Sequence, residues 1–180
     1  MNIIGIVGYP ASGKGEFSDT AKKMGIPVVV MGDIIRKRTT EQGLELTDEN
    51  IGSTARKLRE EYGMDAVALL TAEEVNKLHA DTVIIDGIRG DAEILHFKKT
   101  FPSFKVVYVE ASFDIRLARM MTRGRSDDAS VPSELAARDK REEGFGLQRA
   151  TALADIIVSN ESDRETYIKN VERILTEIKP

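Results

Sequence analysis

Along this chain, short unbroken runs of aliphatic and β-branched residues alternate with longer segments in which apolar residues recur every three or four positions. The runs fall at Asn2–Val7, Val28–Val30, Thr82–Ile85, Lys105–Val109 and Asp155–Val158. They are continuous and not strictly alternating, which predicts strands covered on both faces. The intervening segments carry helical periodicity, clearest at the end, where Ile168, Val171, Ile174, Leu175 and Ile178 mark one apolar face. Five strands joined by helical crossovers predict a three-layer α/β fold, an open five-stranded parallel sheet with helices on both faces.

Two segments exceed a simple strand–helix–strand count. Thr47–Ala80 follows a helix and is itself helical, which predicts a helical insertion at about residues 38–80. Gly124–Gly144 is polar, contains Pro132 and lies between helical stretches; it predicts a short lid at about 124–144. No repeat or low-complexity linker divides the chain, and residues 1–180 are expected to form one domain.

Composition narrows the class of function. Of 180 residues, 41% are hydrophobic and 31% charged, enough to bury a core and keep a hydrated surface. The formal net charge of −4 argues against a general nucleic-acid or membrane-surface binder. The chain has no cysteine, which excludes disulfides and thiolate metal sites and fits the cytoplasm. Its first apolar run is too short for a signal segment, and no run approaches the ~20 residues of a membrane helix. His79 and His96 both fall in predicted helices and read as ordinary, partly exposed residues.

The densest chemistry comes directly after the first strand. Gly8-Tyr9-Pro10-Ala11-Ser12-Gly13-Lys14-Gly15 places a glycine-rich turn between a strand and a helix. Glycines let such a loop aim its amides at phosphate oxygens, the helix adds its positive end, and Lys14 supplies a mobile charge. This is a cradle for a nucleoside triphosphate, with ATP expected. The hydroxyl residue that usually succeeds the lysine and ligates Mg²⁺ is Gly15, and then comes Glu16. Asp86, closing the run Val83-Ile84-Ile85, is the candidate to hold Mg²⁺ through water.

Arginines cluster after later strands. Arg36 and Arg89 each come just past a strand end, where two guanidiniums can clamp an oxyanion beside the cradle. Arg116, Arg119 and Arg123 are spaced to share a helical face, Arg125 continues the run, and Arg138 and Arg141 lie in the next helical segment. Phosphoryl transfer needs charge around a loosely bonded phosphoryl group and water kept away, which arginines on a closing lid provide.

These motifs resemble known kinases. Gly13-Lys14-Gly15 resembles the loop of adenylate kinases, and Gly32-Asp33-Ile34-Ile35-Arg36 and Asp86-Gly87-Ile88-Arg89 resemble the segments whose arginines bind the acceptor phosphate there. Arg119 and Arg123 have the spacing of that family's lid-base pair. Ala154–Asn160 resembles the late strand and loop that lie against the donor base in dephospho-CoA and guanylate kinases. Taken together, the P-loop with Gly13-Lys14-Gly15-Glu16, Val29–Arg36, Asp86–Arg89 and Gly124–Asp128 resemble an archaeal family of nucleotide-kinase-like P-loop proteins, over most of the chain.

The resemblance implies a P-loop nucleoside triphosphate hydrolase fold of the nucleoside-monophosphate-kinase type with a short lid. It implies donor binding by Gly8 to Gly15 and Asn160, acceptor binding by Asp33, Arg36 and Arg89, and catalysis by Lys14, Arg119, Arg123, Arg138 and Arg141. Departures concern the acceptor. The Asp86–Arg89 segment lacks a proline, no adenine-reading glutamine comes after it, and Met31 stands where a polar acceptor-binding residue is common. The partners expected are a nucleoside triphosphate and a phosphate-bearing small-molecule acceptor. Two alternatives stay open: a regulatory ATPase without such an acceptor, and a kinase for a small-metabolite hydroxyl.

Overall fold

A computed structural model describes residues 1–123 and 131–178. Its elements run β1 (Asn2–Val7), α1 (Lys14–Lys23), β2 (Val28–Val30), α2 (Met31–Glu41), α3 (Asp48–Tyr62) and α4 (Ala66–Val75). Then come β3 (Thr82–Asp86), α5 (Asp91–Thr100), β4 (Phe104–Glu110), α6 (Phe113–Arg123), α7 (Pro132–Gly144), α8 (Leu147–Ala152), β5 (Ile156–Ser159) and α9 (Arg164–Ile178).

The strands form one parallel sheet in the order β2-β3-β1-β4-β5. Successive residues of each inner strand feed opposite layers, which is why the runs are apolar throughout. Ile3, Val7, Val83, Ile85 and Val106 pack under α2, α4, α5 and α8 with Met31, Ile35, Val67, Ile94, Phe97 and Ala150. Their neighbours Ile4, Ile6, Ile84, Val107 and Val109 pack under α1 and α9 with Phe17, Ala21, Tyr167, Val171, Ile174 and Leu175. The packing of the first layer is close enough that a Cβ on Gly5 would sit 2.5 Å from Ile88 Cδ1 and 2.6 Å from Phe104 Cζ.

The register assembles the functional edge. Ile6 pairs with Asp86, Val30 also pairs with Asp86, and Glu110 pairs with Ser159. The loop after β1, the N-terminus of α2, the turn after β3 and the loop after β5 therefore emerge together at the carboxyl edge. β1 lies between β3 and β4, and its crossover through α1 leaves on the face opposite to the crossover of β3 through α5, the place where open α/β sheets form a crevice.

The structure revises some boundaries. Asp86 belongs to β3 as its last residue, and β4 takes in Phe104 and Glu110. His79 lies in the loop after α4, not in a helix, because α4 ends at Val75. The polar segment expected as a lid contains a full helix, α7, begun by Pro132 in its first turn and buried through Leu135 against Met120 of α6. Gly124–Asp128, including Arg125, lies outside the described residues, as does the side chain of Arg123. No helix among the described residues is long and apolar enough to cross a membrane.

Candidate active site

The loop after β1 is shaped by backbone conformation. Ser12 N–H donates to Tyr9 O at 3.1 Å, and Ala11 and Gly13 have φ of 61° and 113°. A left-handed alanine costs roughly 1–2 kcal/mol, and the surrounding packing holds it there. Such turns aim successive amides into one concavity, an anion nest that leads into the N-terminus of α1. A Cβ on Gly8 would lie 2.6 Å from Ser12 Oγ and 2.7 Å from Val109 O, and one on Gly13 would overlap the Asn160 amide. Gly13 is dictated by conformation and by space, Gly8 by space.

Lys14 opens α1, and its ammonium donates to Gly8 O at 2.6 Å and Tyr9 O at 3.0 Å, across the loop mouth. Burial lowers its pKa to about 8, a fall partly offset by the carboxylates of Asp86 and Glu142. It is thus a cation held with little solvation, which strengthens its pull on a phosphate.

A brace stands behind the loop. Asn160, buried, donates from Nδ2 to Ser12 O at 2.8 Å, and its backbone N–H donates to Glu110 O at 2.8 Å. Arg119 donates to Asn160 O at 2.7 Å and Oδ1 at 3.1 Å, and more weakly to Ala11 O and Ser12 O. Tyr167 donates to Gly13 O at 3.2 Å, and burial pushes its phenol well above the usual range. Arg116 sits 5.0 Å over the Tyr9 ring and 5.6 Å over Phe113, and pairs with both oxygens of Asp139 on α7 at 2.8 and 2.6 Å. The buried Arg116 is therefore a tie between α6, α7 and the loop. Tyr9 donates its hydroxyl to Glu143 at 3.0 Å, and burial with that carboxylate raises its pKa to about 12.

The carboxylate beside the loop is Asp86, whose Oδ2 accepts from the buried Ser18 hydroxyl at 2.6 Å. Ser18 lies one turn along α1 from Lys14, so the helix that lacks a hydroxyl at Gly15 presents one to the carboxylate instead. Among the described residues no cluster of three or more His, Asp or Glu is placed to hold a metal ion. The donor set, one fixed carboxylate next to a phosphate cradle, suits Mg²⁺ held chiefly by phosphate oxygens and water. Glu16 does not face Asp86; it pairs with Arg164 of α9 at 2.8 and 2.9 Å.

On the other side, the turn after β3 carries Gly87 with φ 102°, packed against Met31 and the start of α2. Met31 is 2% exposed, a core residue under this turn rather than an acceptor ligand. Buried Glu93 accepts from the backbone N–H of Arg89 at 2.7 Å and of Gly90 at 3.3 Å and pairs with Arg59 at 3.4 Å. Burial raises its pKa despite these partners. The turn is thereby fastened, and the Arg89 side chain projects into the cleft, donating to Glu142 of α7 at 2.9 Å.

One cleft of about 980 Å³ joins these features. Its floor is Gly8, Pro10, Ala11, Gly13, Lys14 and Gly15; Arg89, Arg138 and Glu142 line one side, and Arg119, Asn160, Ser162, Arg164 and Tyr167 the other. The size matches a ligand of nucleotide dimensions. Several expected residues are absent from its lining, Asp86 among them, which lies next to it at the end of β3. The Tyr9 side chain turns away to Glu143 and Arg116, and the Ser12 hydroxyl is buried with no hydrogen-bond partner among the described residues. Asp33 and Arg36 pair with each other on the exposed surface of α2, and Arg141 is exposed on α7. Glu142, Arg164 and Tyr167 line the cleft without having been expected, and Ser18 reaches Asp86 beside it. Only Ser18, four residues after Lys14 on the same helix, carried a local signal.

Residues 4–143 match a family described as AAA domain. Full-length relatives include a UPF0200 protein of Methanoregula boonei, 50% identical over 97% of this chain and 96% of its own. Another, from Methanocaldococcus jannaschii, is 41% identical over 99% and 91%. Among solved structures, TT1252 from Thermus thermophilus superposes with a TM-score of 0.66 at 18% identity, covering 99% of this chain and 98% of its own. A gluconokinase from Sinorhizobium meliloti gives 0.59 at 16%, and a shikimate kinase from Acinetobacter baumannii 0.57 at 16%, each covering 99% of this chain and 93% of its own. These structures share a kinase-like P-loop fold with it. By sequence over its length, the chain belongs to the AAA-domain P-loop proteins and, among them, to the archaeal UPF0200 family.

Proposed function

We propose that this protein is an ATP-dependent phosphotransferase that moves the γ-phosphoryl group onto a small acceptor bearing an anionic group. The observation that carries the reading is the presence, in one cleft, of the Lys14 cradle together with Arg89 and Arg138. A nucleotide switch needs the first and has no use for the second.

In this reading the loop amides from Ala11 to Gly15 and Lys14 hold the β- and γ-phosphates. The base lies toward Asn160, Ser162 and Arg164, and Arg119 keeps the loop in shape from behind. Asp86, oriented by Ser18, would hold Mg²⁺ through water, and the ion would supply charge neutralisation when bound. Arg89 holds the acceptor anion. Arg138 faces the transferring group, and the catalytic role of Arg123 is kept from its sequence spacing to Arg119 alone. An acceptor oxygen bonds to the γ-phosphorus as the bond to the β-phosphate bridging oxygen breaks, and ADP leaves. Asp33 and Arg36 lie on the acceptor side of the sheet edge but outside the cleft; they contribute only if α2 and α3 move inward, as does Arg141 if α7 turns.

The test is incubation with ATP and Mg²⁺ against a panel of nucleoside monophosphates, dephospho-CoA, gluconate and shikimate, reading ADP release. Stimulation by an anionic acceptor, lost in Lys14→Ala and reduced in Arg89→Ala, supports the proposal. Slow hydrolysis unaffected by the whole panel favours the regulatory ATPase.

A further inference from the structure

Helix α7 presents Asp139, Glu142 and Glu143 with spacings of three and four, so they share a face. Each grips a different part of the site: Asp139 holds Arg116 of α6 at 2.6 Å, Glu143 accepts from the Tyr9 hydroxyl at 3.0 Å, and Glu142 accepts from Arg89 at 2.9 Å. The first two contacts lie behind the loop. The third lies in the cleft itself, where Glu142 is 17% exposed and shares the lining with Lys14 and Arg138.

We propose that Glu142 is the resident anion of Arg89, so that this arginine is released only to an acceptor that brings an anion of its own. The proposal deepens the phosphotransferase reading and rests on it only for the assignment of Arg89 to the acceptor side.

Glu142, held on the Arg89 guanidinium at 2.9 Å, acts as its counter-ion. As a counter-ion it sets a selection rule. A neutral group entering the cleft cannot replace it, because both charges would lose their partner in a partly desolvated site. A phosphate or carboxylate can, since it offers the guanidinium the same paired oxygens. Displacement also repels: Glu142 and the new anion then stand together near Arg138, which favours withdrawal of that part of α7. Asp139 and Glu143 keep the helix attached while this happens. Acceptor binding and the setting of α7 thus become one event, and neutral metabolites are excluded at that step.

The test is calorimetric titration of inorganic phosphate into the full-length protein with the loop filled by saturating ADP. Wild type is compared with Glu142→Gln, Glu142→Ala, Arg89→Ala and the Arg89→Ala/Glu142→Gln pair. Removing the competitor should tighten phosphate by about two- to fivefold in both Glu142 variants, the scale of a partly exposed ion pair. The gain should vanish when Arg89 is absent. Phosphate binding equal to or weaker than wild type in both Glu142 variants overturns the proposal, and so does a gain that survives Arg89→Ala. Failure of ADP to bind counts against the phosphotransferase reading instead. Titration without ADP then still isolates the Arg89-dependent part and decides the role of Glu142.

Discussion

Asn160 is the point at which the loop's shape is most open to attack. Replacement by alanine removes two hydrogen bonds in a nearly dry site, Nδ2–H to Ser12 O at 2.8 Å and Arg119 to Oδ1 at 3.1 Å. Ser12 O retains a longer bond from Arg119 at 3.3 Å, and Arg119 retains Asn160 O at 2.7 Å, so neither partner is stranded. With about 1 kcal/mol for each lost bond, the expected destabilisation is about 2 kcal/mol. For a chain of this size that lowers the melting temperature by about 4–8 °C. Because the lost bonds anchor Ser12, the loop amides loosen too, and ATP affinity should fall with stability. Asn160→Asp separates bracing from base contact: it keeps the acceptor toward Arg119 but sets an oxygen against Ser12 O and a charge near the phosphates. It should weaken ATP more than the alanine does. Differential scanning fluorimetry and ATP calorimetry read both. A melting temperature unchanged within about 1 °C in Asn160→Ala, with ATP affinity intact, refutes the brace.

The same geometry sets four further outcomes. ATP affinity, measured by calorimetry, should be flat below about pH 8 and weaken as Lys14 deprotonates above it; stability should rise with pH from there toward the ordinary lysine pKa, because the unfolded chain then binds more protons. Gly13→Ala, which forces φ 113° on a side chain and overlaps Asn160, should abolish ATP binding and lower the melting temperature. Asp139→Asn should cost about 3–5 kcal/mol in chemical denaturation, since it leaves Arg116 buried and unpaired between α6 and the loop. Gly15→Ser, whose Cβ meets nothing within 4 Å, should fold normally and tighten Mg²⁺ in the ATP complex, measured by Mn²⁺ competition, because it restores the missing hydroxyl.

The fold was legible because the strand runs are uniformly apolar: only a sheet covered on both faces needs Ile3 and Ile4, or Ile84 and Ile85, buried in opposite layers. The loop was legible for a related reason, since its glycines and lysine are local in sequence and tied to backbone shape. Side chains just past the strand ends were legible in position but not in orientation. Arg89 and Arg36 looked equivalent, yet Glu93 fastens the turn that aims Arg89 into the cleft, while Arg36 finds Asp33 one helical turn away and stays outside. Arg119 looked catalytic, with Arg116 beside it on the same helical face. Both also brace the loop, through contacts to Asn160 and Asp139 far along the chain that no local pattern reports. The Glu16–Arg164 pair spans 148 residues, and no periodicity or spacing reports it. Glu142 was hidden as one acidic residue among many on a polar helix; only the fold puts it on Arg89.

The fate of the γ-phosphate decides between transfer and hydrolysis, and ³¹P NMR with ATP, Mg²⁺ and the acceptor panel follows it directly. A phosphotransferase gives a new phosphate ester or anhydride resonance growing with ADP for at least one anionic acceptor, absent with Lys14→Ala and slowed with Arg89→Ala. ATP consumed only to orthophosphate, at a rate that no acceptor and no change at Arg89 alters, contradicts phosphoryl transfer as the activity of this cleft.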